Sequence, residues 1–218
     1  MRLNPFERFG EVCKSILPHH PLGGLNAPAT EQEIALAEEM MQQQLPPDVK
    51  EAYRHFNGQC RDAPYKVLIN HYWLPVYGTP NMQTMASEYS SQRYLEMLLK
   101  DDENFGFYDF VEEGLEYNSP IHEVAFHPGR LPFAADDSDS RLEIDVSPPP
   151  TGVYGQILKA PIFGEMDGNV WASSFSELIE KIVCSYESGK IFCEVDGKFS
   201  RWLHKETNQD LYLRTLLK

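Results

Sequence analysis

No apolar run in this 218-residue chain approaches the roughly 20 residues needed to span a bilayer, so no membrane-spanning helix is expected. Cysteine is scarce and scattered. Cys13, Cys60, Cys184 and Cys193 form no short-spaced pair, which argues against a zinc site and against the disulfide framework of a small secreted domain; reduced structural thiols are expected. Basic residues are few, with 19 Lys and Arg against 33 Asp and Glu, a net charge of -14. That balance disfavours nucleic acid and anionic membrane as partners. There is no Gly-x-Ser-x-Gly elbow, phosphate-binding glycine loop, histidine pair around a glutamate or Cys-x-x-Cys. The opening stretch MRLNPFERFGEVCKSIL carries charges within it and no small-residue cleavage site, so it does not read as a secretory signal. No repeat or low-complexity linker interrupts the sequence. A cytoplasmic protein without cofactor or metal is expected, one domain over 1–218 with a variable insertion at about 60–125.

The acid is unevenly spread. Thirteen carboxylates lie between Asp101 and Asp145, against Arg130 and Arg141 alone, a balance of -11. Such a field attracts basic protein surfaces and speeds encounter at low salt. The simpler reading is a hydrated surface that keeps the protein soluble. Asp136, Asp137, Asp139 and Asp145 offer oxygens to a divalent cation, but the central glycine and terminal glutamate of a calcium loop are missing. A pair such as Asp137 and Asp139 does acid–base chemistry only if one is buried, and acids interleaved with serines in a turn stay wet. His55 and His127 read as structural histidines, and His19 with His20, between prolines, reads as loop.

What is present locally is well punctuated. Thr30 with Glu33 is a capping box that starts a helix carrying Ile34, Ala37 and Met41 on one face, with Met40 beside them. Pro46 and Pro47 end it near Gln44 and open a second helix with Val49, Ala52, Tyr53 and Phe56, closed by Asn57-Gly58. Phe6, Phe9, Cys13, Ile16 and Leu17 predict an earlier helix, Pro5 to Leu17. KVLINHYWLPVYG reads as one or two strands broken at Pro75, and Asn81 to Lys100 as helix with Met85, Tyr89, Met97 and Leu98 inward. Asp101 to Ser119 suits an edge strand and an exposed loop. Leu142, Ile144 and Val146 alternate with Glu143 and Asp145, predicting a strand with one buried face. Val153 to Leu158 is the next strand. Ser174 with Glu177 caps a helix lined by Phe175, Leu178, Ile179, Ile182, Val183 and Tyr186, which Gly189 ends. Asp196-Gly197 joins IFCEV to KFSRW as a hairpin, and a last helix is expected from Gln209 to Lys218.

LPPD, an aromatic helix face and Asn-Gly together resemble the signature of the SUKH superfamily, the Smi/Knr group of fungal cell-wall assembly regulators and bacterial immunity proteins. HPGRLPFAADDSDSRLEIDVSPPPTGVYGQIL is similar to the family's proline-bounded strands, and ASSFSELIEKI to its closing helix. The matches run in order from about Thr30 to about Val183. Where the family often carries tryptophan, this chain has Arg130 and Leu131, and its often glycine-rich turn is Asp136 to Ser140. The resemblance implies an α+β domain, a mostly antiparallel central sheet with several helices packed on one side and at its edge.

It further implies a non-catalytic binding module. The first reading is an immunity protein occluding a basic toxin effector, often a nuclease, as a monomer or weak homo-oligomer. Candidate contacts, taken from the acidic stretch and not from a family motif, are Asp136, Asp137, Asp139, Glu112, Glu113 and Glu116, while Trp73 and Tyr77 read as core residues or as aromatic anchors. The alternatives are an intracellular scaffold of cell-wall assembly or signalling, and an enzyme with an unrecognised carboxylate site.

Overall fold

In a computed structural model the described residues are 3–69, 71–77, 83–100, 119–122, 127–136, 140–161, 169–196, 199–213 and 216. Local sequence chemistry builds the helices. In α1 (Pro5–Ile16) Asn4 accepts the Glu7 amide at 2.8 Å, Glu7 accepts the Asn4 amide at 3.0 Å, and proline opens the first turn. In α2 (Glu31–Met41) the box closes as expected, the Thr30 amide donating to Glu33 Oε2 at 2.7 Å. The helix stops three residues before the expected Gln44, because Gln42 takes the left-handed conformation at φ 52° and its amide bonds back to the Glu38 carbonyl.

Next, α3 (Pro47–His55) starts at the double proline, and Gly58, at φ 70°, turns the chain after it. The helix α4 (Met85–Lys100) buries Met85 and Tyr89 but leaves Met97 exposed, contrary to its expected inward place. Ser174 caps α5 (Phe175–Glu187) by accepting the Glu177 amide at 3.1 Å. The Glu177 carboxylate returns one residue earlier than a strict box, to the Ser173 amide at 2.7 Å.

Five strands form one antiparallel sheet in chain order: β1 (Tyr72–Trp73), β2 (Arg130–Ala135), β3 (Ser140–Asp145), β4 (Gln156–Pro161) and β5 (Val170–Ala172). β1 is far shorter than KVLINHYWLPVYG predicts, since Ile69 turns the chain at φ 45°. A separate hairpin pairs β6 (Ile191–Asp196) with β7 (Phe199–His204). The expected tail helix is replaced at its start by a bridge from Leu203 to Asp210. The α+β class and the antiparallel sheet agree with expectation.

One face of the sheet meets the main core. Leu131, Ile144 and Ile157 stand opposite one another in register on this face, and Phe133 meets Phe175 of α5 edge-on at 5.0 Å between ring centroids. Trp73 sits at the centre of an aromatic cluster, 5.6 Å from Tyr53, 5.5 Å from Phe175 and 6.1 Å from Phe9. Buried Arg8 ties α1 to α5 through Glu180 at 2.7 Å and Glu187 at 2.6 Å. Among the described residues no helix is long and apolar enough to cross a membrane.

Candidate partner-binding surface

The second face of the sheet departs most from the sequence reading. Alternation on β3 places Arg141, Glu143 and Asp145 opposite the core side chains, on the face that the sequence pattern does not mark as buried. Instead Glu143 is 2% and Asp145 0% exposed, with Arg130, Arg141 and Gln156 equally buried. Register explains the grouping: Arg130 lies opposite Asp145, which lies opposite Gln156, while Glu143 lies between Pro132 and Leu158. From α4, Gln92 donates to Glu143 Oε1 at 2.6 Å, and Arg141 stands 3.8 Å from Glu88. Gln156 donates from Nε2 to Asp145 at 3.1 Å and to the Pro120 carbonyl at 2.7 Å. Arg130 donates to the His122 carbonyl. Two cations and two anions are thus enclosed between the sheet, α4 and the segment around Pro120.

Burial dominates the electrostatics there. It pushes the Glu143 carboxyl above its usual range, against the pull of Arg130 and Arg141 and the Gln92 hydrogen bond. It pushes both arginines below theirs, although Glu143 attracts each of them. Glu143 Oε2 has no hydrogen-bond partner. The cluster is closed and balanced. It holds the structure together and offers no charge to a partner.

That result revises the acidic ledger. Removing Glu143 and Asp145 with Arg130 and Arg141 subtracts two charges of each sign, so the -11 of the stretch rests on its other eleven carboxylates, with no basic residue among them. Of the candidate contacts, Asp136 is half-buried just beyond β2. Asp137, Asp139, Glu112, Glu113 and Glu116 lie outside the described residues. Trp73, at 1% exposure, takes the core reading over the anchor reading, because Phe9, Tyr53 and Phe175 surround it. Tyr77 is partly buried against the same core.

Nucleophilic chemistry finds little support in these side chains. Burial pushes the Cys13 and Cys193 thiols up to about 12 and raises Cys60, so none is a thiolate at neutral pH. Burial first, then His122 stacked at 4.3 Å and Arg130, bring His127 down to about 4. Among the described residues no three His, Cys, Asp or Glu side chains gather as a metal site.

Two surface features went unread in the sequence. A groove of about 660 Å³ runs between the C-terminal end of α2 and the turn joining β3 to β4, with Tyr154 on one wall. A hollow of about 340 Å³ lies beside β1, between Cys60 and Gln83. The glutamine run Gln42 to Gln44 after α2 was the available signal for the first; β1, being two residues long, gave none for the second.

An antiparallel sheet in chain order, backed by an N-terminally capped α5 and entered through a pair of helices hinged at Pro46-Pro47, defines the class of α+β module to which the chain is similar. The model of the SMI1/KNR4 family (SUKH-1) matches residues 28–181, more than two thirds of the sequence, and the chain belongs to that family. No curated protein matches it.

Proposed function

We propose that this protein is a non-catalytic binding module that neutralises a basic polypeptide, an immunity protein whose partner is a toxin effector domain. The observation that carries the reading is the charge ledger. Eleven carboxylates lie between Asp101 and Asp139, and the two arginines of the wider stretch, Arg130 and Arg141, are buried together with Glu143 and Asp145. A carboxylate is costly to bury without a cation, so a local excess of them favours a cationic partner. A nuclease effector must present a basic cleft to anionic nucleic acid, and an acidic surface competes for that cleft with steered association. Membership of the SMI1/KNR4 family supports a binding role. The stretch at about 60–125 is proposed as the insertion that individualises this member, and the partner contacts as Glu112, Glu113 and Glu116 within it and Asp136, Asp137 and Asp139 beyond it.

Capture of the tagged protein from its own host at about 150 mM and about 500 mM salt tests this. One basic polypeptide retained at the lower salt and released at the higher is expected. Retention of several wall-assembly or signalling proteins regardless of salt overturns it in favour of a scaffold.

A further inference from the structure

We infer that the groove at the end of α2 is an arginine-binding site, receiving one arginine side chain of a basic polypeptide partner. The inference rests on the proposed function for the nature of the partner, but not on the acidic stretch. Its walls are described throughout, and their chemistry points to a planar cation.

Glu38 and Glu39 line the groove, and no lining residue is basic. Glu38 is already committed, with Lys50 at 2.6 Å and the Leu45 amide at 2.7 Å. Glu39 is exposed and has no ion pair among the described residues. The last turn of α2 itself contains no basic residue, so the negative end of the helix adds to the Glu39 charge. Potential alone would attract any cation. The opposite wall narrows the choice.

Tyr154 is 52% exposed, and its hydroxyl donates to the Gln44 carbonyl at 3.3 Å, which pins the ring across the groove. Val153 beside it is 53% exposed. Gln43 is held in place by donating to the Pro128 carbonyl at 3.2 Å. An aromatic face, a carboxylate and the carboxamide oxygens of Gln42 and Gln44 within one concavity match a guanidinium, which stacks and donates in its plane at once. An ammonium has three donors on a strongly hydrated point charge and gains less from the ring. The β3–β4 turn is stiffened by Pro148, Pro149 and Pro150, so little ordering is left to offset the contact.

The test is a site-resolved amide NMR titration of the intact protein with a hexa-arginine peptide and, separately, a hexa-lysine peptide of equal charge. The amides of Glu39, Gln42, Gln44 and Tyr154 are expected to shift with hexa-arginine at lower concentration than with hexa-lysine. Tyr154→Ala is expected to weaken the hexa-arginine response at these amides about two- to fivefold. Tyr154→Phe, which keeps the ring, retains the preference for arginine, and Glu39→Gln lowers the affinity for both peptides. Shifts confined to the stretch from Asp101 to Asp139, with the groove silent, overturn this inference and leave the proposed function standing. Equal responses of Tyr154→Ala and the natural protein overturn it too. A groove that responds while no basic polypeptide is captured from the host fails the proposed function and keeps the arginine site.

Discussion

Arg130 occupies a position where the family resemblance leads one to expect tryptophan, and the structure shows what the exchange entails. A buried aromatic needs only packing, whereas a buried guanidinium needs anions, and Glu143 and Asp145 supply them. Arg130→Met therefore leaves two enclosed carboxylates facing Arg141 alone, and the expected cost is about 3–5 kcal/mol in chemical denaturation. A cost below about 1 kcal/mol contradicts the enclosed quartet. Acid acts at two other residues in successive windows. His127 stays neutral when folded but takes a proton near 6.5 when unfolded, so its contribution to stability is present above pH 6.5 and is lost as the pH falls to about 4. Glu177 is held down to about 2 by Ser173 and then Lys181, so its contribution is present above 4.5 and lost as the pH falls through about 2. Denaturation midpoints of His127→Gln should lose the first decline and keep the second. Neither window is legible in the sequence, because each depends on surroundings that only the fold supplies: burial, with His122 stacked on the ring, for one, and a serine one place off the expected cap for the other.

Among the elements, those specified by short-range chemistry were legible and those specified by what covers them were not. The boxes at Thr30 and Ser174 join residues three or four apart, and both helices start where their sequences indicate. The alternation of β3 identifies the strand and its inward residues but says nothing of a second layer, so the burial of Glu143 and Asp145 is not legible in it. The one available hint was that the two basic residues of an acidic stretch lie on paired strands beside those acids. β1 was overread because apolar residues such as Val67 and Leu68 are buried by a turn and not by a strand. The Asn57-Gly58 signal was sound and gives an element-scale prediction. A Cβ on Gly58 would stand 2.6 Å from the Leu74–Pro75 backbone at a φ of 70°, whereas one on Gly155, at φ 85°, meets only Pro46 at 3.5 Å. Gly155→Ala should cost about 1–3 kcal/mol for backbone strain, and Gly58→Ala measurably more in the same denaturation experiment.

At the scale of the whole molecule, the family match ends where the fold does not. α1 and the β6–β7 hairpin lie outside residues 28–181 yet close over the same core, α1 through Phe9 and Arg8, and the hairpin through Trp202, whose Nε1 donates to the Lys66 carbonyl at 2.8 Å. The flanks thus stabilise the face of the family module opposite the charged layer. The net charge of -14 is left for encounter with other molecules, as the buried charge cancels. The central claim is that this excess binds a basic polypeptide. It is tested most directly by repeating the capture at about 150 mM salt with Asp136, Asp137 and Asp139 all changed to Lys, alongside a denaturation curve of the same variant. The account predicts that the variant folds with stability close to the natural protein's and retains no basic polypeptide. A folded variant that retains the same polypeptide in the same amount would contradict it.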